Sequence, residues 1–133
     1  MLPELDFDYN RDVKRRNKLL GISEDTEWFG GVAYFKDLDV ETLKILLDEK
    51  FADPDDCQNA APSIGQIYDF MQEYPKFKAH GYAVVETRFD YRISIEGVTA
   101  EDVEPEELAA FAKMFHDADD FIATRWLCHC WFD

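Results

Sequence analysis

The stretch Ala79–Gly97, AHGYAVVETRFDYRISIEG, restricts the fold more than any other part of the chain. Tyr82, Val84, Val85, Thr87, Phe89, Tyr91, Ile93 and Ile95 are aromatic or β-branched, the types that fit a pleated surface. From Phe89 onward the alternation is clean. Phe89, Tyr91, Ile93 and Ile95 share one face, and Asp90, Arg92, Ser94 and Glu96 share the other. As a single strand the run would reach roughly 55–60 Å, against a radius of gyration of about 14 Å for a chain of this size. A break near Glu86–Asp90 is therefore expected, giving a hairpin over 81–86 and 90–96. No Gly, Asn or Pro is present to make that turn, so one bent strand over 81–96 is the alternative. The polar side chains alternate in sign from Glu86 through Arg88, Asp90 and Arg92 to Glu96. They read as a solvated row of weak ion pairs, with an anion grip by Arg88 and Arg92 as the sharper alternative.

Helical patterns flank this stretch. Asn10 is placed to cap a helix over 11–20, closed by Gly21 with Ile22 behind it and with its basic residues outward. Residues 31–35 read as a strand. Asp39 caps a helix over 40–51. Ser63 and Gln66 form a capping box that opens a helix over 63–74, stopped by Pro75. After the sheet stretch, Thr99 and then Pro105 open a helix over 104–117, with Pro105 in its first turn. The β-rich run IATRWLCHCWF closes the chain as a strand over 123–132. This order predicts an α+β fold: a small mixed sheet of three or four strands with about four helices on one side. The helix over 104–117 has the length of a crossover, so strands 90–96 and 123–132 would be parallel if adjacent. The whole of 1–133 reads as one domain, with 1–9 extended or poorly ordered.

Charge narrows the function. Twenty-nine acidic residues face 14 basic ones, a net charge of −15, and residues 19–133 alone carry −16. Such a body repels phosphate backbones and anionic membranes and attracts basic partners. Nucleic acid is not an expected partner, the Arg11–Lys18 patch being a weak exception. No apolar run approaches the ~20 residues of a membrane span, and the acidic start MLPELDFDYN lacks the features of a secretion signal. Three cysteines, Cys57, Cys128 and Cys130, point to a reduced, cytoplasmic chain.

The motifs that could carry chemistry are weak. Cys128–His129–Cys130 cannot converge on one metal ion from a regular strand, since its cysteines point to one face and the histidine to the other. Buried cysteines acting as small apolar residues are expected instead. Pairing Cys57 or Cys130 with His80 or His116 as nucleophile and base has no local signature. Asp53, Asp55 and Asp56 invite a calcium loop, but Gln58 and Ile64 stand where that loop needs Gly and Glu. Ile64, Ile67, Tyr68, Met71 and Tyr74 form a core stripe rather than a cofactor box. No catalytic, cofactor-binding or metal-binding residue is assigned.

In composition the chain resembles small bacterial inhibitor or immunity proteins as a general type, without a motif to support more. The leading expectation is a non-enzymatic interaction module that binds a basic protein through an acidic, aromatic-bearing surface. The rival is a small-molecule-binding or catalytic α+β domain with a pocket between sheet and helices, favoured by a cleft of at least ~300 Å³ with converging polar groups. Trp126, Trp131 and Phe132 crowd the last strand. If it lies at a sheet edge, either another element covers it or a second copy does, as a homodimer through the C-terminal strand.

Overall fold

The computed structural model describes residues 7–133. The chain runs α1 (Val13–Leu19), β1 (Val32–Leu38), α2 (Val40–Asp48), α3 (Ile64–Glu73), β2 (Lys78–Val84), β3 (Ile93–Glu101), α4 (Pro105–Phe115), β4 (Asp120–Ala123) and β5 (Leu127–Trp131). The five strands form one sheet in the order β1-β2-β3-β5-β4, with every neighbouring pair antiparallel. The fold is α+β. The expected mixed sheet of three or four strands is corrected to five antiparallel ones.

The caps explain where the helices begin and end. Asp39 accepts the Thr42 N–H at 2.8 Å, and Ser63 and Gln66 make a reciprocal capping box. The first helix is capped by Asp12 rather than Asn10, whose side chain instead accepts the Asp12 N–H. At its far end the Ile22 N–H reaches the Asn17 carbonyl and the Gly21 N–H reaches Lys18, with Gly21 at φ +75°. Its basic residues do not all face outward. Arg16 is fully buried, lies 4.6 Å over the Tyr91 ring and donates to the Val84 carbonyl at 2.8 Å. Arg11 covers the same ring at 4.5 Å, so two guanidinium groups hold α1 against the start of β3.

The 81–96 stretch is a hairpin, shifted from its expected bounds. Its first strand begins three residues earlier, at Lys78, and its second runs five further, to Glu101. The connecting loop folds without glycine because Asp90 accepts from both Arg88 and Arg92 while Arg88 also donates to the Gly30 carbonyl. The anion that these arginines grip is thus the chain's own carboxylate. The register between β2 and β3 slips between His80 and Gly81, leaving Glu96 as an extra residue. That bulge lets β3 keep an apolar face past Gly97, with Val98 and Ala100 buried.

The expected strand over 123–132 is a hairpin instead. Thr124 makes its turn, accepting the Leu127 N–H on its hydroxyl at 3.0 Å. β5 therefore runs antiparallel to β3, not parallel, and lies inside the sheet with β4 at the edge. The helix before this hairpin leads from β3 into β4, which lies parallel to β3 with β5 inserted between them, so α4 spans a crossover to the edge strand rather than to a neighbouring one.

One face of the sheet is covered by helices. Ala33, Phe35, Ala79, Ala83, Ile93, Ile95, Ala100, Cys128 and Cys130 bury against Leu43, Leu46, Ile67, Met71 and a run of phenylalanines. The rings of Phe70, Phe77, Phe111 and Phe115 contact one another at 4.9–5.5 Å between centroids. The sheet contributes mostly small side chains to this core and the helices contribute the large ones.

A Cβ added at Gly97 would fall far inside contact with the Cys130 carbonyl, and one at Gly81 would do the same with the Ser94 carbonyl. Gly97→Ala and Gly81→Ala should each lower stability by at least about 3 kcal/mol in urea titration. Gly30→Ala, strained only by its φ of +60° with open space around it, should cost about 1–2 kcal/mol.

Candidate functional site

The face opposite the helices carries the groups that could bind something. On it stand Tyr34 from β1; Lys78, His80 and Tyr82 from β2; Ser94, Glu96 and Thr99 from β3; and His129 and Trp131 from β5, in the parity set by the register. The sequence placed Ser94 and Glu96 on a polar face, but both are almost wholly buried there.

A cleft of about 560 Å³ lies where this face meets the loop before α3, lined by Tyr9, Asp53, Asp56, Tyr82, Asp90 and Arg92 among others. The Tyr82 hydroxyl donates to Gln58 at 3.1 Å and accepts from Arg92 at 2.8 Å, which fixes the loop to the sheet. Arg92 also donates to Ser94 and to Asp90. Burial opposes its charge, but its bonds to Tyr82 and Asp90 outweigh that and raise its pKa. Asp56 is shifted up chiefly by burial, with Asp53 adding to the shift and Arg92 opposing it. Tyr9 is shifted up by burial and by the same two aspartates.

Three acidic segments converge beside this cleft. Asn59 donates to the Asp133 carbonyl, and the Asp133 N–H donates to Asp119 at 2.8 Å. The Asp53–Asp56 loop, the Asp117–Asp120 run and Asp133 therefore share one end of the sheet. Glu101, Asp102, Glu104 and Glu106 stand at the opposite end, beside the first residues of β5. Among the described residues, only Asp48, Glu49, Asp90 and Glu107 pair with a lysine or arginine. Local sequence cannot show which of these acidic segments meet. The signal for that meeting is a side-chain amide, Asn59, inside an otherwise ordinary loop.

The remaining candidates separate. Cys128 and Cys130 are buried in the core and Cys57 is exposed at the cleft, all three with free thiols. Among the described residues no group of three or more His, Cys, Asp or Glu is placed to hold a metal ion, and no helix is long and apolar enough to cross a membrane. His80 and His129, distant in sequence, stack at 5.2 Å between ring centroids, while His116 lies on the far end of α4, bonded to the Lys113 carbonyl. Neither histidine of the stacked pair shares the core face with the cysteines. Comparison with protein-family models, with curated proteins and with solved structures returned no match.

Burial pushes the Cys130 thiol up to about 12 and raises Cys128 as well. At pH 8 the native protein should therefore release one equivalent of thiol to a disulfide reagent, from Cys57, and two more only after unfolding; three fast equivalents would contradict the buried placement. Glu96 offers a pH test. Burial raises its pKa above the ordinary 4.5, the Trp131 bond opposing. Its folded pKa exceeds its unfolded one, so its contribution is complete at low pH and is lost as pH rises through the folded value. Glu96→Gln, which keeps an acceptor for Trp131, should match the wild type in melting temperature near pH 4 and gain on it toward pH 7.

Proposed function

We propose that this protein is a non-enzymatic interaction module whose acidic end engages a basic protein partner. The observation that carries this reading is that Asn59, in the wall of the cleft with Asp53 and Asp56, donates to Asp133, which in turn donates to Asp119, so the C-terminal acidic groups are tied to the acidic cleft. Like charges held together oppose folding through self-repulsion, and a basic partner relieves that cost on binding. Folding itself uses the chain's arginines elsewhere: Arg11, Arg15, Arg16, Arg88 and Arg92 are all bonded within the chain. This leaves the basic N-terminal patch with little to offer a nucleic acid. The cleft adds aromatic surface from Phe7, Tyr9 and Tyr82, the ring type that packs against lysine and arginine stems.

A homodimer through the C-terminal strand loses its premise, because β5 is paired on both sides. The edge on that side of the sheet is β4, four residues long and opened by Asp120, a poor template for strand pairing. Small-molecule binding keeps support of its own, since two clefts on the open face, of about 560 and 450 Å³, fall in the size range of ligand sites.

The reading is tested by capture from native lysate with mass spectrometry, using as baits the wild type and a variant carrying Asp53→Asn, Asp55→Asn, Asp56→Asn and Asp120→Asn. A basic protein should be retained by the wild type and lost by the variant, with its on-rate falling at least about tenfold between ~50 and ~500 mM salt. Neutralising Glu101, Asp102, Glu104 and Glu106 at the opposite end should leave capture unchanged. A partner held equally by all three baits, or with an on-rate indifferent to salt, would defeat the proposal.

A further inference from the structure

The second cleft on the open face, about 450 Å³, is bounded by Tyr34, Lys36, Lys78, His80, Glu96 and Trp131. Its floor is low because Gly97 carries no side chain, so the His80 ring lies across β3 and its Nε2 reaches the Cys130 carbonyl on β5 at 3.0 Å. A carbonyl only accepts, so Nε2 holds the proton and Nδ1 of the neutral ring is left as an acceptor. Burial, and His129 stacked beside it, lower the His80 pKa and keep the ring neutral.

Glu96 is only 7% exposed. One of its carboxylate oxygens accepts the Trp131 indole N–H at 3.1 Å, and no described residue donates to the other. Among the described residues only Arg16 Nη2 is buried without a partner, so the second Glu96 oxygen is open to the cleft and can accept from a visiting donor. Two acceptors without a donor call for an ammonium group.

The rim adds a second requirement. Lys36 and Lys78 stand at the β1–β2 side of the cleft, and neither is in an ion pair among the described residues. Asp37 shares the rim and Asp39 lies near Lys78, which tempers the positive charge without cancelling two ammonium groups. A simple amine would meet that charge unfavourably; a ligand that also carries a carboxylate satisfies both ends. Trp131 and Tyr34 supply apolar walls for the rest of it.

We propose that this cleft binds a small zwitterion of the α-amino acid type, with its ammonium on Glu96 and His80, its carboxylate toward Lys36 and Lys78, and an apolar side chain against Trp131. The site is distinct from the acidic end, and neither reading needs the other.

Three matched probes test it: L-phenylalanine, phenethylamine, which lacks the carboxylate, and 3-phenylpropionate, which lacks the amine. The readout is the Trp131 indole N–H resonance, assigned with Trp131→Phe, in the otherwise unaltered full chain. L-Phenylalanine should shift it saturably at up to about 10 mM, and each truncated probe should bind at least about tenfold more weakly. Glu96→Gln should weaken L-phenylalanine at least about tenfold while leaving 3-phenylpropionate unchanged, with wild-type cooperativity of melting. The proposal is overturned if no probe moves the resonance, if 3-phenylpropionate binds as tightly as the amino acid, or if Glu96→Gln binds like the wild type. Should that variant not fold, the three probes on the wild-type protein still decide.

Discussion

The close approach of β5 to Gly97 of β3 is the contact on which the rest of the open face depends. Because no Cβ intervenes, the Cys130 carbonyl sits against the β3 backbone and the His80 ring can lie across the strand to reach it. The bulge next to Gly97 turns Glu96 under Trp131 and returns Val98 and Ala100 to the core. A regular strand could do one of these things but not both, since side chains alternate strictly with a period of two. One extra residue therefore lets β3 serve a packed core on one side and a polar cleft on the other.

The two layers divide the labour of size. On the core side β2 presents Ala79, Gly81 and Ala83, and the space over it is filled by Phe70, Phe111 and Phe115 from the helices with Phe77 from the turn before β2. On the other side the same strand presents His80 and Tyr82. Large flat side chains thus face outward from β2, whose inner positions are small, and they wall the two clefts of the open face, while other clefts lie between the helices.

Charge follows a similar division. The arginines are used internally: Arg16 over Tyr91, Arg15 on Glu49, Arg88 and Arg92 on Asp90. Arg16, Arg88 and Arg92 hold a helix or a loop to the sheet, and Arg15 ties α1 to the end of α2. Two groups of carboxylates without a lysine or arginine partner stand at opposite ends of the sheet, and the end beside Asp53 and Asp133 combines them with aromatic surface and a cleft. Fold and surface charge are therefore linked, because five arginines that could have neutralised that end are bonded elsewhere within the chain.

The sequence by itself determined the features that depend on near neighbours. The capping box of Ser63 and Gln66, the Asp39 cap, the Gly21 terminus and the alternation from Tyr91 to Ile95 are set within a few residues and appear in the structure as expected. It misplaced what depends on distant ones. Lys78–His80 lacks β-branched residues and became strand only because β1 and β3 flank it; Gly97 reads as a strand end until β5 is seen to require it; Thr124 turns a hairpin that no glycine advertises. The inward burial of Arg16, the stacking of His80 on His129, and the meeting of Asp119 with Asp133 join residues far apart in the chain. Tertiary structure alone decided these, because strand order and register determine which side chains share a surface, and local propensity is indifferent to both.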